Sequence, residues 1–173
     1  GQHILVHGGA GGVGSIVVQL AARLGAKVSV TASRRDLAFV TDLGASTVID
    51  YENERFEDRV KDVDAVIDLV GGSTLERSWA VLKPGGVLVG VAEPPAPDVA
   101  LAHHARAAFF VVEPRRDELL RLARAVDDGR LRPVVDRVLP LHDTRSAYEL
   151  LGTRHRRGKV VIAVTPERPT VNH

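Results

Sequence analysis

The chain contains no cysteine, so neither a disulfide framework nor a thiolate metal site is available to it. It has almost no charge imbalance either: 23 lysines and arginines stand against 22 aspartates and glutamates, and a net charge of +1 offers no electrostatic footing for nucleic acid or a membrane surface. No apolar run approaches the roughly 20 residues that span a bilayer, and the N-terminus lacks the charged-then-apolar pattern of a signal peptide. A soluble, cytoplasmic protein is the expectation. Methionine is also absent, and a chain that opens on Gly1 at the edge of a strand without any methionine is expected to be a piece of a longer protein. Its 173 residues suffice for one domain with a substantial core, not for two full-sized ones.

What the sequence has in excess is glycine in one place. Five glycines fall within the seven positions Gly8 to Gly14, between a short apolar run at Ile4 to Val6 and an amphipathic stretch that puts Val17, Leu20, Ala21 and Leu24 at helical spacing. That reads as strand, glycine loop, helix. "LGAKVSV" opens a second strand at Lys27 to Thr31, "SRRDLAFVTDLGA" a second helix, and Thr47 to Ile49 a third strand. The alternation continues with a strand at Asp64 to Val70 and a helix in "STLERSWAVLKPGG", where Ser73 and Glu76 form a capping-box pattern. A strand at Val87 to Ala92, a proline-rich rim loop "EPPAPD", a strand at Ala107 to Val112 and a helix at Asp117 to Asp128 follow. Six strands with helices between them predict an α/β fold, a doubly wound and mostly parallel sheet spanning residues 1–130. Residues 131–165 add strand, helix and strand beyond what that sheet needs, and residues 166–173 read as a disordered tail.

Gly9, Gly11 and Gly14 match G-x-G-x-x-G, directly after a strand and opening a helix. In that pattern the first glycine permits the tight turn, the second lets a dinucleotide's pyrophosphate approach the backbone, and the third lets helix and strand pack closely. The N–H groups of Gly12 and Val13 are then expected to face the anion, aided by the helix dipole. A purely structural turn, or another α/β nucleotide fold, is the alternative.

The end of the second strand separates the two nicotinamide dinucleotides. NAD sites place an acid there to bind the ribose hydroxyls, whereas "VTASRRD" puts Ser33, Arg34 and Arg35 in its place. Arginines in a helix's first turn oppose its dipole, and a bound phosphate would reverse that penalty through charge-assisted hydrogen bonds. Asp36 is expected as the third helical residue, reciprocating Ser33 as cap. NADP is the expected cofactor, with a solvated basic surface as the alternative.

Taken in order, "HILVHGGAGGVGSIVVQLAARLGAKV", "LGASTVIDY", "DLVGGSTLERSWAVLKPGG", "AAFFVVEP" and "RGKVVIAV" resemble the cofactor-binding half of the medium-chain dehydrogenase/reductase family, in its zinc-independent quinone-reductase branch. The resemblance implies a Rossmann sheet and hydride transfer from NADPH to a quinone, enone or related carbonyl. It implies that Tyr51 lies beside the adenosine 2′-phosphate, that Arg154 adds to the phosphate site, and that Val70, Gly71, Val91, Ala92, Phe109, Phe110 and Val111 line the ribose and nicotinamide. It further implies a GroES-like catalytic domain ahead of Gly1, to which the segment from Leu131 returns, and a homodimer formed through the sixth strand. A basic residue often found in that family at the position of Asp36 is missing here.

The remaining candidates are weaker. His7 is expected as a core imidazole, with catalysis the lesser reading; His103 and His104 are adjacent and point apart, so they form no metal pair. Asp68 is expected to fix local turns, and Tyr148 to pack. Arg154, Arg156, Arg157 and Lys159 form a basic cluster that fits a solvated face and a phosphate contact equally well. No residue is assigned as catalytic or as a metal ligand. A non-catalytic NADPH-binding or sensing module remains open, as does a methyltransferase-like fold, although the latter usually wants an acid where Ser33, Arg34 and Arg35 stand.

Overall fold

The computed structural model describes residues 1–109, 111–153 and 156–165. The strands are β1 (His3–His7), β2 (Lys27–Ala32), β3 (Thr47–Asp50), β4 (Val63–Asp68), β5 (Leu82–Gly90) and β6 (Arg106–Phe109), all parallel and in the order β3-β2-β1-β4-β5-β6. Between them run the helices α1 (Gly14–Arg23), α2 (Leu37–Asp42), α3 (Ser73–Ser78) and α4 (Pro97–Ala102). The strand order reverses between β1 and β4, which opens a crevice at their carboxyl ends. Phe110 and the tail from 166 lie outside the described residues.

Both faces of this sheet are covered, so its central strands are buried on both sides, the polar Ser29 and Thr31 of β2 included. Neighbouring Leu5 and Val6 point to opposite faces and are equally inaccessible. Leu5 joins Val66, Leu88 and Trp79 in one core; Val6 joins Val18, Val30 and Val40 beneath α1 and α2 in the other.

Several local expectations change in three dimensions. The proline-rich rim carries α4, where Pro97 occupies the first turn, Asp98 complements the dipole and Ala100 is buried. Ser73 does not cap α3; Gly72 does, at φ 56° and ψ −139°, a conformation that requires glycine, and its N–H is accepted by the Glu93 carboxylate. The expected helix from Ser33 is split into a 3-10 turn at Arg34–Asp36 and α2 proper. Strand β5 begins at Leu82, because its register with β4 jumps from Val63↔Leu82 to Ala65↔Val87 and the intervening Pro-Gly-Gly loops out of the ladder.

Beyond α5 (Arg116–Asp127), none of whose residues is buried, β7 (Val135–Pro140), α6 (Thr144–Leu151) and β8 (Lys159–Ala163) form a separate parallel pair with its crossover helix. This unit is fastened to the large sheet at the glycine loop, where the Gly158 N–H donates to the Ala10 carbonyl at 2.9 Å. A second fastening is Gln19 on α1, which is 6% exposed. Its Nε2 donates to the Arg132 carbonyl at 3.0 Å while its Oε1 accepts the Arg132 N–H at 2.9 Å. Gln19→Ala is expected to cost about 1–2 kcal/mol and to speed amide exchange in β7 and β8 while β1 to β6 are unaffected. Unchanged exchange in β7 and β8 would show that the clamp is not what holds the segment.

Candidate dinucleotide site

The loop after β1 turns at Gly8, whose φ is +75°, and closes with the Gly11 N–H donating to the Gly8 carbonyl at 3.1 Å. The tight turn therefore falls one residue before the expected Gly9. Gly9 is instead pressed against β2, where a Cβ would run into Val30, and Gly14 is pressed against the turn itself, where a Cβ would meet the Gly8 carbonyl and stand 2.7 Å from Gly9 Cα. Gly11 differs: its Cβ would meet only the Gly8 carbonyl oxygen, at an acceptable 3.4 Å. Among the described residues the N–H groups of Gly12 and Val13 have no acceptor, and the first turn of α1 carries no acid. Free N–H groups at the start of a ten-residue helix suit an anion.

In front of this loop lies a cavity of about 380 Å³. Its far wall is the end of β2, with Thr31, Ser33 and Asp36; Tyr51 and Val70 bring in the ends of β3 and β4; Thr153, Arg156 and Gly158 close it from the segment leading into β8. An adjoining cavity of about 440 Å³ shares Gly8, Thr31, Tyr51 and Val70 and extends over Phe56, Thr74 and Arg77. The Arg77 guanidinium stands 4.8 Å from the Phe56 ring centre, so this second space has an apolar floor with a cationic edge.

His7 lies beneath both and is fully buried. Ser78 Oγ donates to the Thr74 carbonyl at 2.7 Å, so at its 3.1 Å contact with His7 it accepts the Nε2–H. His7 Nδ1 is then left to accept from Thr31 Oγ1 at 3.0 Å. Burial pushes the imidazole down to about 4, with Arg77 acting in the same direction and Asp68 and Glu57 partly opposing it. A neutral ring with both nitrogens engaged ties β1, β2 and α3 together beneath the site. Asp68, also inaccessible, uses Oδ1 to hold the N–H groups of Val70 and Gly71 at 2.8 and 2.6 Å, which shapes the turn after β4.

The structure brings Gly11, Gly12, Ser33, Tyr51 and Val70 to one cavity. Gly9, Val13 and Gly14 build the loop behind it. Arg34 and Arg35 are exposed and absent from its described lining, and the cation that faces it is Arg156. Gly71 turns toward Glu93. Val91, Ala92, Phe109 and Val111 are exposed along the carboxyl edge of β5 and β6, outside the cavity. Phe110 and Arg154 lie outside the described residues. The basic cluster before β8 is a candidate phosphate contact in the sequence, and the structure sets Thr153, Arg156 and Gly158 in the cavity wall; the ion pair between Asp36 and Arg157 at 2.6 Å is not legible in the sequence.

Residues 43–162 match the family described as zinc-binding dehydrogenase. The chain belongs to that family. Its likeness is to the quinone-oxidoreductase branch of the medium-chain dehydrogenases/reductases. It is 38% identical to an NADPH-dependent alkenal/one oxidoreductase, chloroplastic, of Arabidopsis thaliana and 38% identical to a 2-methylene-furan-3-one reductase of Solanum lycopersicum, across 96% of this chain and 42% and 41% of those proteins. A quinone oxidoreductase from Coxiella burnetii superposes with a TM-score of 0.91 at 40% identity, covering 95% of this chain and 53% of that one. The chain thus spans about half, or somewhat less, of the family members it matches. The zinc of the family's description has no ligand set among the described residues, where no group of three or more His, Cys, Asp or Glu side chains is placed to hold a metal. No helix among them is long and apolar enough to cross a membrane.

Proposed function

We propose that this chain is the cofactor-binding half of an NADPH-dependent oxidoreductase acting on a quinone, an enone or a related carbonyl. The observation that carries the reading is the glycine loop with unengaged N–H groups at the start of α1, with Arg156 in the facing cavity wall and Lys159 over Gly12. The loop suits a pyrophosphate: a side chain at Gly11 would fill open space, and Lys159 drapes over Gly12, its Nζ 2.9 Å from where a Cβ would stand. Gly12 and Val13 N–H groups with the Lys159 ammonium would hold the diphosphate. Ser33 and Arg156 would meet the adenosine ribose, and the second cavity, lined by Phe56 and Arg77, would take a flat base.

Bound, the dihydronicotinamide supplies a hydride to the substrate. The chain's own part is to orient it: the turn held by Asp68 sets Val70 and Gly71 against the cofactor, and Val91, Ala92, Phe109 and Val111 extend that edge toward the nicotinamide. Residues 131–165 serve this site on one side and present Val135, Val138, Leu141 and Val164, all exposed, to the rest of the protein on the other. Exposed Phe109 at the edge strand β6 supports pairing of two copies there.

Calorimetric titration with NADPH, NADH and S-adenosylmethionine tests the reading. NADPH is expected to bind at least about tenfold more tightly than NADH, a difference of about 1.4 kcal/mol, and S-adenosylmethionine not to bind. Binding of neither dinucleotide would refute it. With the remainder of the protein restored, NADPH-dependent reduction of an enone or quinone is expected; binding without turnover in the longer chain would favour a non-catalytic NADPH-binding module.

A further inference from the structure

One acid stands at the adenosine end of the cavity. Asp36 is 2% exposed and contributes to the cavity wall. Its Oδ2 accepts the Ser33 hydroxyl at 2.6 Å, and its Oδ1 accepts the Nε–H of Arg157 at 2.6 Å. Arg157 lies 121 positions further along the chain, and two other contacts fix it. Its Nη2 donates to the Arg35 carbonyl at 2.7 Å, and the guanidinium carbon lies 5.2 Å from the centre of the Phe39 ring. A carboxylate, a carbonyl and an aromatic face therefore orient one guanidinium. Of its five N–H groups two are engaged in these bonds, which leaves three. The side chain is 44% exposed, and Arg157 stands between Arg156 and Gly158, which line the cavity, without being part of that lining itself.

A bare carboxylate at this end of β2 accepts hydrogen bonds from ribose hydroxyls and repels a phosphate on the same carbon. A paired one does both more weakly: its charge is compensated and one acceptor site on each oxygen is taken. We infer that the Asp36–Arg157 pair sets which dinucleotide the site accepts. With Arg157 in place, the ribose end presents guanidinium N–H groups to a 2′-phosphate; without it, the same place presents an anion that favours a 2′-hydroxyl. The inference rests on reading the cavity as a dinucleotide site. It moves the choice of cofactor from the Arg34–Arg35 pair at the end of β2 to the segment before β8.

The test is a set of calorimetric titrations with NADPH and with NADH, each variant's fold being checked by its thermal melt. For Arg157→Ala, NADPH affinity is expected to fall roughly 50-fold and NADH affinity to change less than about threefold, so that the preference is lost. Asp36→Asn/Arg157→Ala, which leaves no buried unpaired charge, is expected to fold like the parent and to recover roughly tenfold of the NADPH affinity lost in Arg157→Ala. Arg34→Ala/Arg35→Ala is expected to keep the parent's ratio within about threefold. Should Arg157→Ala melt too low to titrate, the double variant is compared with Asp36→Asn alone, and a roughly 10-fold or larger drop in the NADPH to NADH ratio is expected on losing the guanidinium. An unchanged ratio in either comparison overturns the inference, as does loss of the preference in Arg34→Ala/Arg35→Ala alone. A parent chain that binds neither dinucleotide overturns the underlying reading of the cavity; a parent that binds NADPH with a ratio indifferent to Arg157 overturns only the pair.

Discussion

Gly14→Val is expected to lower stability by about 3 kcal/mol or more, whereas Gly11→Val leaves the thermal melt within about 1 kcal/mol of the parent and weakens dinucleotide binding roughly 100-fold or more. Neither glycine has a positive φ, so the contrast is one of space and not of backbone conformation. At Gly14 a Cβ would be driven into the Gly8 carbonyl and against Gly9 Cα. Both are backbone atoms of a turn already held by the Gly11 N–H, so neither can yield without moving α1 off the sheet. At Gly11 the nearest obstacle is at van der Waals distance, and Gly11 lines the cavity, so a branched side chain there is expected to take up ligand space. Circular dichroism melts paired with NADPH titrations separate the two roles. Equal destabilisation by both substitutions would refute the division.

The second large effect is on the acid side. An ordinary histidine titrates near 6.5, and His7 is held at about 4 by burial in the folded chain. Between those values the unfolded chain binds the proton and the folded chain does not, so protonation favours unfolding. The contribution is complete above pH 6.5 and is lost as pH falls toward 4, amounting to about 3 kcal/mol over that window. His3 is lowered in the same sense, by burial and by Lys27, so the clean quantity is the difference between the parent and His7→Gln. Urea midpoints measured from pH 4 to 7 are expected to fall steeply with acid in the parent and distinctly less in His7→Gln. Parallel pH profiles would mean that His7 is not the buried neutral group described.

The βα alternation was readable because each element's pattern reports its own surroundings, whereas the strand order β3-β2-β1-β4-β5-β6 comes from the structure. Val28 to Ala32 and Leu5 to Val6 are buried throughout because helices cover both faces, and Gly9 and Gly14 stand where a side chain would strike Val30 or the Gly8 carbonyl. Such constraints act between segments close in sequence, and they leave their mark on residue type. The α4 helix was missed although Pro97 and Asp98 are start signals, since three prolines in four residues, at positions 94, 95 and 97, outweigh them in a linear reading. The expected apolar face of α5 was legible, yet nothing in its periodicity could say that Leu119 would remain 57% exposed.

The end of the cavity beside β2 belongs to tertiary structure. Ser33, Asp36 and the basic cluster before β8 were each visible in the sequence, but Asp36 read as a helix cap because Ser33 is three residues away, and its bond to Ser33 is real. What no local pattern carries is the return of the chain after α6, which lays Gly158 beside Gly11, sets Arg156 against the cavity and brings the Arg157 guanidinium to a carboxylate 121 positions earlier. By itself the sequence determined that a dinucleotide-type loop exists and which sheet carries it, because steric exclusion at a glycine is a short-range force. Only the folded chain decided which charges face the ligand, because an ion pair depends on where two distant segments meet and leaves no periodic trace in either.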